Sequence, residues 1–156
     1  MWNRLLPCFL SSAVNSPCSP PTTITTLVAP PVASISGVYF ATNGDGNITL
    51  NGSLSSDPGA RPLTFIWLCK RDSETFPEND SLPVVDVPNG YSNTSGGCYG
   101  NGPGRLSVVA NVLVVDIDKL EEGETYVFKL VVSNRFKRTY AIHSLTIQQK
   151  ADFRIR

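Results

Sequence analysis

The chain has 156 residues, 41% of them hydrophobic, and its 13 basic and 13 acidic residues give a formal net charge of zero. This length is typical of one domain with a real hydrophobic core, and the balanced charge disfavours nucleic acid as a partner. No apolar stretch reaches the roughly 18 residues that span a bilayer, so we expect any membrane attachment to lie in parts of a parent protein outside this sequence.

The first part of the chain differs from the rest in composition. Six prolines between Pro7 and Pro31 are interleaved with serine and threonine, a pattern that resists both helix and central strand. We therefore predict a leader or linker over residues 1–32. Residues 1–13 resemble a cleaved signal peptide in which Pro7 and Cys8 interrupt the apolar stretch, and an extracellular linker or an internal start within a longer protein fits as well.

Hydrophobic alternation with a period of two begins at Ala33 and favours strands joined by turns. Twelve glycines and twelve prolines, with only 17% charged residues, favour the same all-β class. The predicted strands, in chain order, are 33–40, 47–53, 63–69, a short edge strand at 82–87, 105–117 with a break near Asn111, 125–134 and 138–149, before a tail at 151–156. About seven strands within 33–150 predict an immunoglobulin-like β-sandwich.

A long polar excursion over residues 70–104 separates the third strand from the next long one. It is rich in proline and glycine, and a loop of about 35 residues is unusually long for a plain connection. Its aromatic residues Phe76, Tyr91 and Tyr99 are candidate binding anchors, and ordinary packing of the loop is the alternative for each of them.

Two aromatic residues carry the expected core signature. In the segment LTFIWLC, alternation puts Trp67 and Cys69 on one face, so we predict that Trp67 is the main apolar anchor of its strand. The segment LEEGETYVF has Leu, Gly and Tyr at three-residue intervals, the pattern of a tyrosine corner, in which the phenol bonds to backbone a few residues upstream. A simple core tyrosine is the alternative, and both interpretations place Tyr126 in the interior.

Four cysteines are available for pairing. Cys69 ends the third strand and Cys98 lies in the excursion, so a disulfide between them would hold the excursion to the sandwich, whereas buried thiols are the alternative. Cys8 and Cys18 are a candidate second disulfide, although cleavage near Ala13 would leave Cys18 without this partner. The cysteines show no C-x-x-C spacing and the chain has one histidine, so we expect no zinc and no cofactor.

Four N-x-S/T sequons without proline indicate the compartment. They begin at Asn47, Asn51, Asn79 and Asn93. Alternation assigns Asn47 and Asn51 to the solvent face of the second strand, and the other two lie in the excursion. We therefore predict glycosylation at all four and an extracellular or cell-surface location reached through the secretory pathway. A cytosolic chain with fortuitous sequons is the alternative.

The segments LNGSLSSDPGARPLTFIWLC and LEEGETYVFKLVVSN resemble the polycystic kidney disease (PKD) repeat and, more closely, the receptor-for-egg-jelly (REJ) module of polycystin-family proteins. The resemblance covers roughly residues 33–150. The letters LCKRD stand where PKD repeats have Asp-Phe-Gly-Asp-Gly, and Trp-x-Cys with a later loop cysteine is the REJ-type form. The resemblance implies a β-sandwich module from the extracellular part of a cell-surface protein whose full members carry polycystin-type membrane regions.

The sequence gives little support for a catalytic function. The single histidine, His143, lies in the last strand without a nucleophile motif, and neither a G-x-S-x-G nor a glycine-rich phosphate loop occurs. The carboxylates of the segment DIDKLEE could chelate calcium, but acidic turns of this kind are usually only solvated. We therefore expect no enzyme activity and no metal.

These patterns together indicate a non-catalytic extracellular module for adhesion, ligand binding or spacing in a polycystin-like receptor. Two origins fit the sequence: a free-standing protein and a fragment of a longer membrane protein. We expect an extracellular protein or a glycan as partner, and contact with a membrane only through parts of a parent protein. The alternative function is that of a carbohydrate-binding accessory module of a secreted protein.

Overall fold

The computed structural model describes residues 27–82, 84 and 96–150 of the chain. Several predicted features lie outside these residues: the signal peptide at 1–13, the pair Cys8 and Cys18, Tyr91, Asn93 and the tail at 151–156. The described residues form seven strands in two sheets, with no α-helix among them. The predicted all-β sandwich with a tied loop is thereby confirmed. None of the described residues belongs to a helix that is long and apolar enough to cross a bilayer.

The strands are β1 (Phe40–Thr42), β2 (Asn47–Asn51), β3 (Thr64–Arg71), β4 (Gly104–Arg105), β5 (Val112–Asp116), β6 (Thr125–Ser133) and β7 (Arg138–Gln148). Single 3-10 turns lie at Gly97–Tyr99 and Ile117–Lys119. The break predicted near Asn111 separates β4 from β5, because the apolar residues of that stretch cannot all share one face. Of the edge strand predicted at 82–87, Leu82 and Val84 lie among the described residues and the rest lies outside them; Val84 makes one parallel bridge to Arg105.

The first sheet has the order β1-β7-β6-β3-β4, and the second pairs β2 with β5. Among the strand pairs of the described residues, β1 and β7 run parallel and the others run antiparallel. The N-terminal segment joins both sheets, since Ser36 pairs with Asn51 of β2 and the carbonyl of Tyr39 accepts a 2.9 Å bond from the amide of Thr146 in β7. The expectation of one strand over 33–40 is therefore wrong, because Ser36 makes an isolated bridge to the second sheet and regular strand pairing begins only at Phe40 in the first.

The core fills the space between the sheets. On β3 and β6 the inner residues Trp67, Tyr126, Phe128 and Leu130 are almost completely buried, and Leu50 of β2 faces them from the other sheet. The indole Nε1 of Trp67 donates a 2.8 Å bond to the carbonyl of Ala110, so the large ring is buried without an unsatisfied donor. Trp67 is thus the apolar anchor of β3.

The outer face of the first sheet is also buried along its centre. Val127, Lys129 and Val131 on β6 are 5%, 8% and 2% exposed, and Leu68 on β3 is fully buried. A sandwich sheet ordinarily presents one of its faces to water. Part of the chain must therefore cover this face, and the excursion does so.

The ordered contacts begin slightly before Ala33. Pro31 is buried, and its carbonyl accepts a 2.8 Å bond from the hydroxyl of Thr139, while Val32 bridges to Ser56. The boundary at residue 33 and the linker character of the preceding segment stay predictions.

Candidate functional site: the disulfide-tied excursion and the cleft beside it

The disulfide joins the end of β3 to the far side of the excursion. Cys69 and Cys98 are bonded, with their Cα atoms 5.4 Å apart, and both residues are buried. Gly97, which opens the 3-10 turn, has a φ of +78°, a conformation that glycine adopts without steric cost. The predicted disulfide is confirmed, and the alternative of buried thiols is wrong for this pair.

Glu74 ties the two ends of the excursion a second time. One carboxylate oxygen accepts a 3.0 Å bond from the amide of Arg71, and the other accepts a 2.6 Å bond from the amide of Gly102. Charge-assisted bonds of this kind are stronger than neutral ones. This role is not predicted from the sequence, because a glutamate shortly after a strand carries no signal for a partner in a distant segment.

Lys129 fastens the excursion to the outer face of the sheet. Its ammonium lies 2.7 Å from a carboxylate oxygen of Asp80, and both side chains are only 10% exposed. The same ammonium lies 5.5 Å from the ring centre of Phe76 and 4.4 Å from that of Tyr140. Because a buried charge must be paired, this contact specifies where the excursion lies on the sheet. This contact is not among the predictions from the sequence, although a lysine between the apolar residues Val127 and Val131 is a signal for it.

The aromatic residues proposed as anchors have contacts within the chain. Phe76 is half-buried between the ammonium groups of Lys70 and Lys129, at 5.3 and 5.5 Å from its ring centre. Tyr99 is half-buried against the hydrophobic core. The structure separates the two residues, since Phe76 lies on the outer face of the sheet and Tyr99 beside the disulfide. A binding role for either stays a prediction.

A cleft of about 330 Å³ opens at the end of the sandwich beside the disulfide. It is lined by Arg71, Cys98, Tyr99, Asp118, Lys119, Leu120, Glu121 and Tyr126. The hydroxyl of Tyr126 accepts a 2.9 Å bond from the amide of Glu121, which is the geometry that the tyrosine-corner pattern predicts. The guanidinium of Arg71 binds both carboxylate oxygens of Glu121, at 2.9 and 3.2 Å.

The ionisation of the cleft residues follows from these contacts. Burial raises the pKa of the Tyr99 phenol, and the negative charge of Asp116 raises it further. Burial likewise raises the pKa of Tyr126, although the bond from the Glu121 amide opposes this. The bonds to Glu121 raise the pKa of Arg71. At neutral pH both phenols are therefore protonated, and the guanidinium of Arg71, paired with Glu121, lies in the same cleft.

The acidic turn considered for calcium uses its carboxylates within the protein. Asp118 accepts a 2.9 Å bond from the amide of Gly44, and Glu122 accepts a 2.8 Å bond from the side-chain amide of Asn43. Glu121 is held by Arg71. Within the part of the chain that the structure describes, no cluster of three or more His, Cys, Asp or Glu residues is placed to hold a metal ion. The turn instead ties the loop after β1 to the loop after β5.

His143 belongs to the interior. It is 3% exposed, its Nε2 lies 2.8 Å from the carbonyl oxygen of Val38, and its ring stacks on Tyr39 with the centroids 4.7 Å apart. These contacts join β7 to the segment that leads into β1, which is a structural role.

Three of the four sequon asparagines lie among the described residues, and all three are exposed: Asn47, Asn51 and Asn79. The side-chain oxygen of Asn51 accepts a 2.8 Å bond from the amide of Ser53, and that of Asn79 accepts a 3.3 Å bond from Ser81. In both residues the side-chain oxygen is thus oriented by the backbone, and the residue as a whole is exposed. Glycosylation stays a prediction.

These features define a class of protein: an immunoglobulin-like sandwich with a tyrosine corner, a buried strand tryptophan and a disulfide that ties a long loop. The model of the REJ domain matches residues 19–155 of the chain. The chain therefore belongs to the REJ domain family, whose domains are extracellular modules of polycystins. The search of curated proteins found no match.

Proposed function

We propose that the chain is a non-catalytic, glycosylated module of a polycystin-like cell-surface receptor, and that it binds an extracellular protein or glycan. The observation that carries this proposal is the fixation of the excursion. The disulfide, Glu74 and the Lys129–Asp80 pair hold it at three separate places. A surface ordered before binding loses little conformational entropy when a partner binds, so the described parts of the excursion, held at these three places, are suited to recognition.

Two further observations support an extracellular, non-catalytic role. A buried disulfide is typical of proteins that fold in an oxidising compartment, and the exposed sequons are accessible for glycosylation. The single histidine contacts a backbone carbonyl and a tyrosine ring, and the cleft presents an arginine that is already paired with a glutamate. Neither arrangement resembles an activated nucleophile with its base.

The test uses the chain secreted from glycosylating cells. Peptide mapping should find sugar at Asn47 and Asn51 and the Cys69–Cys98 disulfide intact, and beads coated with the protein should bind cells or matrix proteins. Glu78→Arg, on the exposed surface of the excursion, should weaken this binding, whereas Glu122→Arg, the same charge change on the turn after β5, should not. Secreted protein without sugar at both asparagines, or equal effects of the two substitutions, would contradict the proposal.

The cleft beside Tyr99 favours one second candidate, a carbohydrate-binding accessory module. An aromatic wall with phenol donors and an Arg–Glu pair can bond to sugar hydroxyls, and about 330 Å³ falls within the range of small-molecule sites. A glycan array separates the two functions. Broad binding to polysaccharides, lost in Tyr99→Ser and retained in Glu78→Arg, would favour the accessory module over the receptor module.

A further inference from the structure

Four of the ten basic residues in the described part of the chain lie together at one hairpin. The turn between β6 and β7 carries four consecutive residues, Arg135, Phe136, Lys137 and Arg138, and Arg61 from the turn before β3 lies beside them. We call these five residues the basic hairpin. The acidic segment 116–124 lies at the opposite end of β6, so the hairpin is separated from the main group of carboxylates by the length of that strand.

The backbone of the hairpin is held in place by one buried asparagine. The side-chain oxygen of Asn134 accepts bonds from the amides of Phe136 and Lys137, at 2.8 and 2.7 Å. Its side-chain nitrogen donates a 3.0 Å bond to Asp57, and Asp57 also accepts a 2.8 Å bond from the amide of Arg61. Asn134 is only 8% exposed. The cations therefore project from an ordered scaffold and not from a loose loop.

An apolar ring stands among these cations. Phe136 is 53% exposed, and the guanidinium carbons of Arg135 and Arg61 lie 4.5 and 5.5 Å from its ring centre. Among the described residues, Arg135 and Lys137 form no ion pair, while Arg138 is 56% exposed and lies 3.7 Å from Asp80. The guanidinium of Arg61 is paired with Asp57 at 3.2 Å, so Arg135 and Lys137 are the hairpin cations without a carboxylate partner among the described residues. Both lie next to the exposed ring of Phe136 in the sequence.

We propose that the basic hairpin binds an acidic polypeptide segment that carries an apolar side chain next to its carboxylates. The guanidinium group binds a carboxylate through two parallel bonds, which favours Asp and Glu as the anionic partners. The exposed ring of Phe136 needs an apolar counterpart, which a protein segment supplies and a sulfated polysaccharide does not. Interface anchors are typically aromatic and arginine residues placed together in this way. This inference adds a partner class to the module and does not require the excursion to be a binding surface.

Fluorescence anisotropy with the disulfide-bonded full chain tests the proposal. The probe is a short labelled peptide that mixes glutamate with leucine, and the matched peptides have glutamine for glutamate or serine for leucine. The first peptide should bind most tightly. Lys137→Glu should weaken its binding about tenfold, because a like charge replaces an attractive one, whereas Lys150→Glu, the same change on an exposed lysine after β7, should alter it less than about twofold.

Phe136→Ser distinguishes recognition from general attraction between opposite charges. It should weaken binding of the glutamate–leucine peptide about fivefold and leave the glutamate–serine peptide unchanged. The proposal is overturned if no peptide binds, if the glutamine peptide binds as well as the acidic ones, or if heparin competes fully while Phe136→Ser has no effect. Because cell binding through the excursion is measured separately with Glu78→Arg, failure here leaves the proposed receptor function intact.

Discussion

The two outer faces of the sandwich differ although both follow the same alternation. On the first sheet, Val127 and Val131 of β6 are 5% and 2% exposed beneath the excursion. On the second sheet, Val114 of β5 is 58% exposed beside Thr49 of β2, and the sequon residues Asn47 and Asn51 lie on the same face. We call these the covered face and the open face.

The difference between the two faces shows how an inserted segment changes the kinds of residue that the sheet beneath it can carry. Once the excursion covers one face, apolar residues there become a second core, and any charged residue among them needs a partner from the insert. Lys129 and Asp80 meet this requirement across 49 positions of sequence. The open face has no such requirement, so it tolerates polar residues, among them the asparagines at which we predict glycans.

The largest effect is expected from removing the covalent link between the excursion and the covered face. Cys69→Ser combined with Cys98→Ser should lower the free energy of unfolding by about 3 to 4 kcal/mol, because the unfolded chain regains the entropy of an open loop. Chemical denaturation measures the loss, and limited proteolysis should show the first cuts within 72–104. Equal protease resistance of the variant and the native protein would mean that the polar contacts hold the excursion without the disulfide.

The next effect concerns the buried ion pair. Asp80 has a φ of +51°, a region that asparagine tolerates better than most residues, so Asp80→Asn removes the charge with little change in backbone strain. It leaves Lys129 buried opposite a neutral group, and we expect a loss of about 2 to 3 kcal/mol.

The double variant Asp80→Asn with Lys129→Met isolates the charge. It should recover most of the lost stability, because a flexible apolar side chain replaces the unpaired ammonium. Asp72→Asn, the same substitution at an exposed position, serves as the control and should change stability by less than about 0.5 kcal/mol. A double variant that is less stable than Asp80→Asn alone would show that Lys129 stabilises the covered face through its packing on Phe76 and Tyr140.

The sequence predicts the sandwich well because its determinants are local. Alternation assigns Trp67 and Tyr126 to the core, the tyrosine-corner spacing specifies the turn before β6, and apolar residues of both parities reveal the break near Asn111. Each of these signals lies within one strand or one turn. The disulfide is predictable from the sequence for a different reason: a chain with four cysteines allows few pairings.

The covered face was not predicted because its determinants are not local. The pairing of Lys129 with Asp80, and of Glu74 with Gly102, depends on where the excursion crosses the sheet. Alternation alone assigns Lys129 to the solvent side of β6. Only the neighbouring Val127 and Val131, which are apolar on that same side, indicate that something covers the face.

A smaller effect is expected at acid pH from the turn that joins the two sheets. Burial alone would raise the pKa of Asp57, but bonds from the Arg61 amide and from Asn134, with the charge of Arg61, hold it below its usual value of 3.8. A lowered carboxyl pKa stabilises the fold above about pH 3.8, and this contribution disappears as the pH falls through the lower folded value.

The comparison of native protein with Asp57→Asn tests this contribution. The difference in melting temperature between the two should be constant from pH 7 to about 5 and should shrink below about pH 4, as the native carboxylate becomes protonated. Asp45→Asn, in the exposed turn after β1, controls for the general effect of a lost charge. A difference in melting temperature that stays constant down to pH 2 would mean that Asp57 stabilises the fold through hydrogen bonds and packing that do not depend on its charge.

The smallest effect is expected on the open face. Comparing it with the same substitution on the covered face tests the difference between the two faces directly. Val114→Ser replaces a side chain that is already 58% exposed, so little apolar area is lost and the free energy of unfolding should change by less than about 0.5 kcal/mol. Val131→Ser makes the same substitution on the covered face, where the side chain is 2% exposed, and should cost about 2 kcal/mol through lost burial and a buried hydroxyl. Equal losses of unfolding free energy in the two variants, measured by denaturation, would mean that in solution the excursion moves away from the covered face. Both faces would then be exposed to water to the same extent.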